Sequence, residues 1–209
     1  MPLRIFISGA LLSLLLAACA ASISDDSMTA KFRNPLFAEA IADGMIDYVT
    51  LLQIRANERK EPIQDPQVLR TIDETFLESR RILKDAHEKQ DQGKGGAFRP
   101  VGDHYVKGEA LLLGTMLYFS NDFDVDIAPG IHVYLAEHVG PQTLEELRSN
   151  AIRDLGPIKT ALGAEEYVVG MLSEDEQDRF RTVVIASLSL KNILAYAQIR
   201  KKVESGASE

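Results

Sequence analysis

Asn121-Asp122-Phe123-Asp124-Val125-Asp126-Ile127-Ala128-Pro129-Gly130-Ile131-His132-Val133-Tyr134-Leu135 consists of two alternating runs separated by a turn signal. Phe123, Val125 and Ile127 fall on one side of an extended chain, while Ser120, Asp122, Asp124 and Asp126 fall on the other, and Leu117 and Phe119 extend the apolar side backwards. This is the period of a half-buried strand. Ala128-Pro129-Gly130 turns the chain, and Ile131 to Leu135 repeat the pattern. Tyr167-Val168-Val169, Thr182-Val183-Val184-Ile185 and Ile193-Leu194-Ala195-Tyr196-Ala197 read as further short strands. Thr143-Leu144-Glu145-Glu146 and Ser173-Glu174-Asp175-Glu176 match the capping box and place short helices between them. The expectation is an α+β chain whose C-terminal half is an antiparallel β-sandwich or partly closed barrel of about 7 to 9 strands.

Upstream the period changes. Leu36, Phe37, Ala40, Ile41, Met45, Tyr48, Val49 and Leu52 form the stripe of an amphipathic helix from Pro35 to about Glu58. Asp65 followed by Pro66 reads as an N-cap with proline at the first helical position, and Val68, Leu69, Ile72, Phe76 and Ile82 carry a second stripe. Residues 35–92 are thus expected to form a helical hairpin. Gln90 to Gly96 holds three glycines in four positions and no apolar side chain, which reads as a flexible joint before a β domain spanning 97–202. Ser205 to Glu209 reads as a frayed tail.

The N-terminus gives an address. Arg4, an apolar core of about 14 residues and the small residues of Leu16-Ala17-Ala18-Cys19 form a secretory signal too short to span a bilayer. The last four resemble the bacterial lipobox, so residues 1–18 read as a lipoprotein signal peptide and Cys19 as the lipid attachment site. Ala20, in place of aspartate, resembles the outer-membrane class. Residues 19–34 then form a lipidated tether, whose stretch from Ala20 to Ala30 reaches about 35 Å when extended. The membrane, through the lipid anchor, is the first expected partner, and the expected location is the cell envelope, facing the periplasm.

Loss of Arg4 with the signal takes the net charge from −8 to −9. That acidity argues against nucleic acid and against a polybasic membrane patch. Cys19 is the single cysteine, so the folded body has none to pair.

Five blocks in order resemble the DM13 domain, a β-rich extracytoplasmic module. They are His104-Tyr105-Val106-Lys107-Gly108-Glu109-Ala110, Asn121 to Val125 with Ala128 to Leu135, Asp154-Leu155-Gly156-Pro157-Ile158-Lys159, Gly163 with Tyr167, and Arg181 to Ile185. The resemblance covers roughly residues 101 to 200. It implies a β-sandwich, and a role proposed for the family in electron transfer on the strength of a cysteine. Here Ala186 and Ser187 stand where the family often has tryptophan and cysteine, and Ala128 and Gly130 replace the glycine and aspartate of its turn. Ser187 is therefore the family-position residue, without a thiol.

Other constellations are weaker. Asp122-x-Asp124-x-Asp126 begins like a calcium loop, but Ile127 stands where the loop needs glycine and Val133 where it needs glutamate, so a solvated strand face is expected. His132 and His138 share one strand face at roughly 20 Å, too far apart to share a metal. There is no G-x-S-x-G elbow, dinucleotide fingerprint or P-loop. The sequence assigns no catalytic residue, metal or cofactor. Its leading reading is a non-enzymatic binding or assembly module with an envelope protein partner, ahead of an electron-transfer accessory and an uncharacterised hydrolase.

Overall fold

The computed structural model describes residues 29–59 and 62–201. Two N-terminal helices pack as a hairpin and are followed by a nearly closed eight-strand antiparallel barrel. Helix α1 runs Pro35–Glu58 and α2 Pro66–Gln92. Asp65 caps α2 by accepting from the backbone N–H groups of Gln67 and Val68 at 2.8 and 3.4 Å. Ala42, Val49, Ile72 and Ala86 are buried, whereas Tyr48 and Leu69 from the expected stripes are exposed. The period of the stripe was right; its outer members lack a neighbouring layer to cover them.

The strands are β1 (Lys94–Pro100), β2 (Val106–Lys107), β3 (Glu109–Leu113), β4 (Met116–Phe119), β5 (Asp124–Val125) and β6 (Ile131–Ala136). Helix α3 (Leu144–Arg148), β7 (Ile152–Pro157), β8 (Glu166–Val168), α4 (Glu174–Arg179), β9 (Thr182–Ser187), β10 (Asn192–Gln198) and β11 (Arg200–Lys201) complete the chain. The barrel order is β7-β6-β9-β10-β1-β3-β4-β8, with β11 continuing beside β1, and β2 pairs with β5 in a separate ribbon. Ser173 and Glu176 close the full capping box on α4. At α3, Thr143 accepts from the Glu146 N–H, but the Glu146 carboxylate accepts from Gln142 N rather than from the cap residue.

Inward-facing residues of every barrel strand but β7's outer half meet in one core. Leu117, Phe119, Phe123, Val133, Leu135, Val183, Ile185 and Leu194 are fully buried there. The opposite faces form two smaller clusters. Tyr134, Ala136, Val184, Ala186 and Ile193 are covered by Leu147 of α3, and Leu111 and Tyr118 by Leu36 of α1. Thus Val183 and Ile185 point inward and Val184 and Ala186 outward, as the strand period requires.

The ends of the barrel sheet, β7 and β8, share no ladder. Side chains bridge them instead: the Arg153 guanidinium donates to Val169 O at 2.9 Å, and the Lys159 ammonium donates to Glu166 O. The connection between these strands folds across the seam, where the buried Glu165 carboxylate accepts from Thr160 N and from the Tyr167 hydroxyl. Burial, then that bond to Glu165, raises the Tyr167 hydroxyl far above the ordinary tyrosine range.

Two expectations are corrected. The glycine-rich joint is not a linker, because β1 opens at Lys94 and lies between β10 and β3. Gly96 is there because the neighbouring backbone comes too close for a side chain: a Cβ would stand 2.0 Å from Gln198 O. A unit begun at Ala97 would lack Lys94, Gly95 and Gly96, which supply three of the four register pairs with β3. The second correction concerns Leu117 to Ile127, which is not one strand. The chain leaves β4 at Phe119, turns, and re-forms only the short β5, leaving Ile127 89% exposed. Local hydrogen bonds carry the turn, since Ser120 Oγ donates to Asp122 at 2.7 Å and accepts from Glu109 N at 2.8 Å.

Asn34 joins hairpin to barrel. Its side-chain oxygen caps α1 by accepting from Leu36 N at 3.0 Å, and its amide donates to Phe119 O on β4 at 2.7 Å. Asn34→Ala is expected to lose about 1 kcal/mol of cap and about 1 to 2 kcal/mol for the carbonyl left unpaired. Asn34→Asp keeps the cap but cannot donate, so urea denaturation of both variants separates the two contributions. Equal stability of Asn34→Ala and the native chain would contradict this joint.

Candidate binding cleft

The outer face of β6 carries the site. His132 and Tyr134 lie two residues apart on one face, with rings stacked at 6.1 Å. A bulge in β7 sets their neighbour: Val133 pairs with Gly156 and Tyr134 with Asp154, so Leu155 is the extra residue, and Gly156 takes φ +100. Asp154 is thereby turned toward both rings. Its oxygens stand 3.0 and 3.1 Å from His132 Nδ1, and Oδ1 also accepts from Gly156 N at 2.8 Å.

Helix α3 lies beside this face and leaves a cleft of about 290 Å³ lined by Tyr134, Leu144, Leu147, Arg148, Asp154 and Leu188, among others. Tyr134 is 3% exposed, and its hydroxyl is buried without a hydrogen-bond partner among the described residues. Burial, then the nearby Asp154 carboxylate, raises the hydroxyl above the ordinary tyrosine range, with the Arg148 guanidinium acting the other way. It is therefore a neutral donor. Leaving such a group dry and unpaired costs about 1 to 3 kcal/mol, which makes it the feature of this face that calls for an explanation.

The residues singled out in the sequence are placed as follows. Cys19 lies outside the described residues. Ser187 is fully buried at the end of β9, where its hydroxyl donates to Pro129 O at 2.6 Å and accepts from Leu190 N at 3.1 Å. It locks two turns together. His104 contacts Asp126 at 3.4 Å and Asn192 at 3.0 Å, and His138 lies beyond the end of β6 with Nδ1 buried and unpaired. Thus His104 and His132 stand in separate networks.

The three aspartates keep the solvent side of the chain, Asp122 exposed and Asp124 and Asp126 half-buried with Phe123 and Val125 buried between them, but they are divided among separate partners. Asp122 is held by Ser120 and lies 3.3 Å from the Lys107 ammonium, while Asp126 accepts from Tyr105 N at 2.8 Å. The Ser120 hydrogen bond, then Lys107, holds the Asp122 carboxyl below the usual range. Among the described residues no group of three or more His, Cys, Asp or Glu side chains is placed to hold a metal, and no helix is long and apolar enough to cross a membrane.

Sequence reasoning missed Tyr134, Arg148 and Asp154 as a group. Part of the signal was present, because a tyrosine and a histidine two apart on a strand must share a face. The rest depends on the bulged register of β7 and on where α3 lands. Comparison of the chain with protein-family models, with curated proteins and with solved structures gives no match.

Proposed function

We propose that this chain is a non-enzymatic binding module of the bacterial cell envelope, tethered through lipid on Cys19 and facing the periplasm, with a DM13-like barrel as its body. The observation that carries the binding role is the Tyr134 hydroxyl, buried and unpaired at a cleft. A fold retains such a group at a cost, and a ligand that accepts its hydrogen bond offsets that cost. The electron-transfer reading has no thiol to act through at Ser187, whose hydroxyl is already engaged by Pro129 and Leu190.

Two measurements test this reading. Tyr134→Phe removes the unpaired hydroxyl and keeps the ring, so the free protein is expected to gain about 1 kcal/mol in urea denaturation. A loss of stability would mean that the hydroxyl is satisfied without a ligand, and the binding role would fall. Separately, Cys19→Ser is expected to abolish incorporation of labelled fatty acid in cells. Label retained on that variant would remove the anchor.

A further inference from the structure

We propose that the cleft between α3 and the β6–β7 face binds a small monocarboxylate carrying an apolar group, its carboxylate held by the Tyr134 hydroxyl and the Arg148 guanidinium. This deepens the binding-module reading and rests on it. Tyr134 offers a neutral donor with no partner among the described residues. Arg148, at the last turn of α3, lines the same cleft and makes no ion pair among the described residues. A guanidinium and a phenol hydroxyl are both donors, and the group that accepts from both while matching the positive charge is an anion.

The neighbouring charges narrow the class. Asp154 also lines the cleft, with its oxygens on His132 and Gly156, so a negative charge already stands beside the donors. Beside Arg148 and the Asp154 carboxylate, a dianionic phosphate would leave two net negative charges and a single carboxylate only one, so the monoanion is the better matched of the two. The walls set the rest of the ligand. Leu144, Leu147, Ile152 and Leu188 supply apolar surface, and Ile152 and Leu188 are 39% and 41% exposed, so they have area left to cover. A volume of about 290 Å³ is at the small end of ligand pockets and suits a short aliphatic or single-ring acid.

The test uses the full chain in lipid nanodiscs, with empty discs subtracted, and 3-phenylpropionate as the probe against its neutral amide. Methyl resonances of Leu144, Leu147, Ile152 and Leu188 are expected to shift saturably with the acid, and the amide to bind at least about tenfold more weakly. Arg148→Gln, an exposed position, is expected to weaken the acid about tenfold and the amide by clearly less, since the amide loses a hydrogen bond but no charge pairing. Absence of saturable shifts at these methyls, equal binding of acid and amide, or an Arg148→Gln variant that binds the acid like the native chain would each overturn the proposal. The stability of Tyr134→Phe without probe distinguishes the two levels. If that variant is stabilised while the acid fails to bind, the ligand class is wrong and the binding role stands; if it is destabilised, the binding role itself fails.

Discussion

Gly96→Ala is expected to cost more than about 4 kcal/mol, a large fraction of the stability of a domain of this size. The added Cβ would lie 2.0 Å from the carbonyl oxygen of Gln198, 2.8 Å from its carbonyl carbon and 3.5 Å from the Ile199 Cα. All three are backbone atoms, so no side chain can swing away. The crowding follows from how β1 changes neighbours. Its first residues pair with β11 and its last with β10, and between them Ile199 turns its N–H to Arg181 O at 2.9 Å. Gly96 faces that crossing. Gly95 supplies the control, because a Cβ there meets nothing closer than Ala110 O at 3.7 Å. Gly95→Ala should therefore stay within about 1 kcal/mol of the native chain. The check is a pair of urea curves; similar midpoints for the two variants would mean that β1 and Gln198 do not approach as described.

Phe119→Ala is expected to cost about 3 to 5 kcal/mol. The ring is fully buried and stands at the centre of an aromatic group, with centroids 5.0 Å from Phe98, 4.6 Å from Phe123 and 5.4 Å from Tyr167. These partners belong to β1, the turn after β4, and β8, so truncation opens a void shared by distant parts of the chain. Such a void closes poorly, because Phe98 and Tyr167 are fixed by strand ladders and Phe123 by the backbone bonds of its turn. Thermal unfolding should show a fall of roughly 10 °C, taking about 2 to 4 °C per kcal/mol for a chain of this length. Phe119→Leu, which refills much of the space, should recover more than half of the loss. A truncated variant within about 1 kcal/mol of native would show that this cluster does not bear on stability.

What could be read in advance was whatever local chemistry determines. Asp65-Pro66 specified the start of α2, and Ser173-x-x-Glu176 the start of α4, because a cap is made by residues within one turn. The alternation of Ile131 to Leu135 specified β6 and its two faces for the same reason. The glycines before Phe98 misled because composition cannot distinguish a flexible stretch from a strand that another backbone must approach; only the position of Gln198 decides. Leu117 to Ile127 misled in the opposite sense, since a continuous strand was interrupted by the short-range bonds of Ser120 and Asp122. On β6, His132 and Tyr134 were legible as neighbours. Asp154 and Arg148 were not, because a bulge and a connecting helix bring them to the cleft.

The seam between β7 and β8 sets an order on local opening. Elsewhere around the barrel, releasing one strand breaks backbone ladders on both sides, but each of these two is laddered on one side and held on the other by long side chains such as Arg153 and Lys159. Such links give way at lower cost than a ladder, so amide protons of Ile152 to Gly156 should exchange with solvent before those of β9 and β10. The same bridging side chains occupy carbonyls that an unguarded strand would offer to a second molecule. The barrel thus has a place to breathe that is guarded against edge-to-edge association. Because β7 also carries Asp154, breathing at this seam is the motion that would loosen one wall of the cleft while the inner core stays closed.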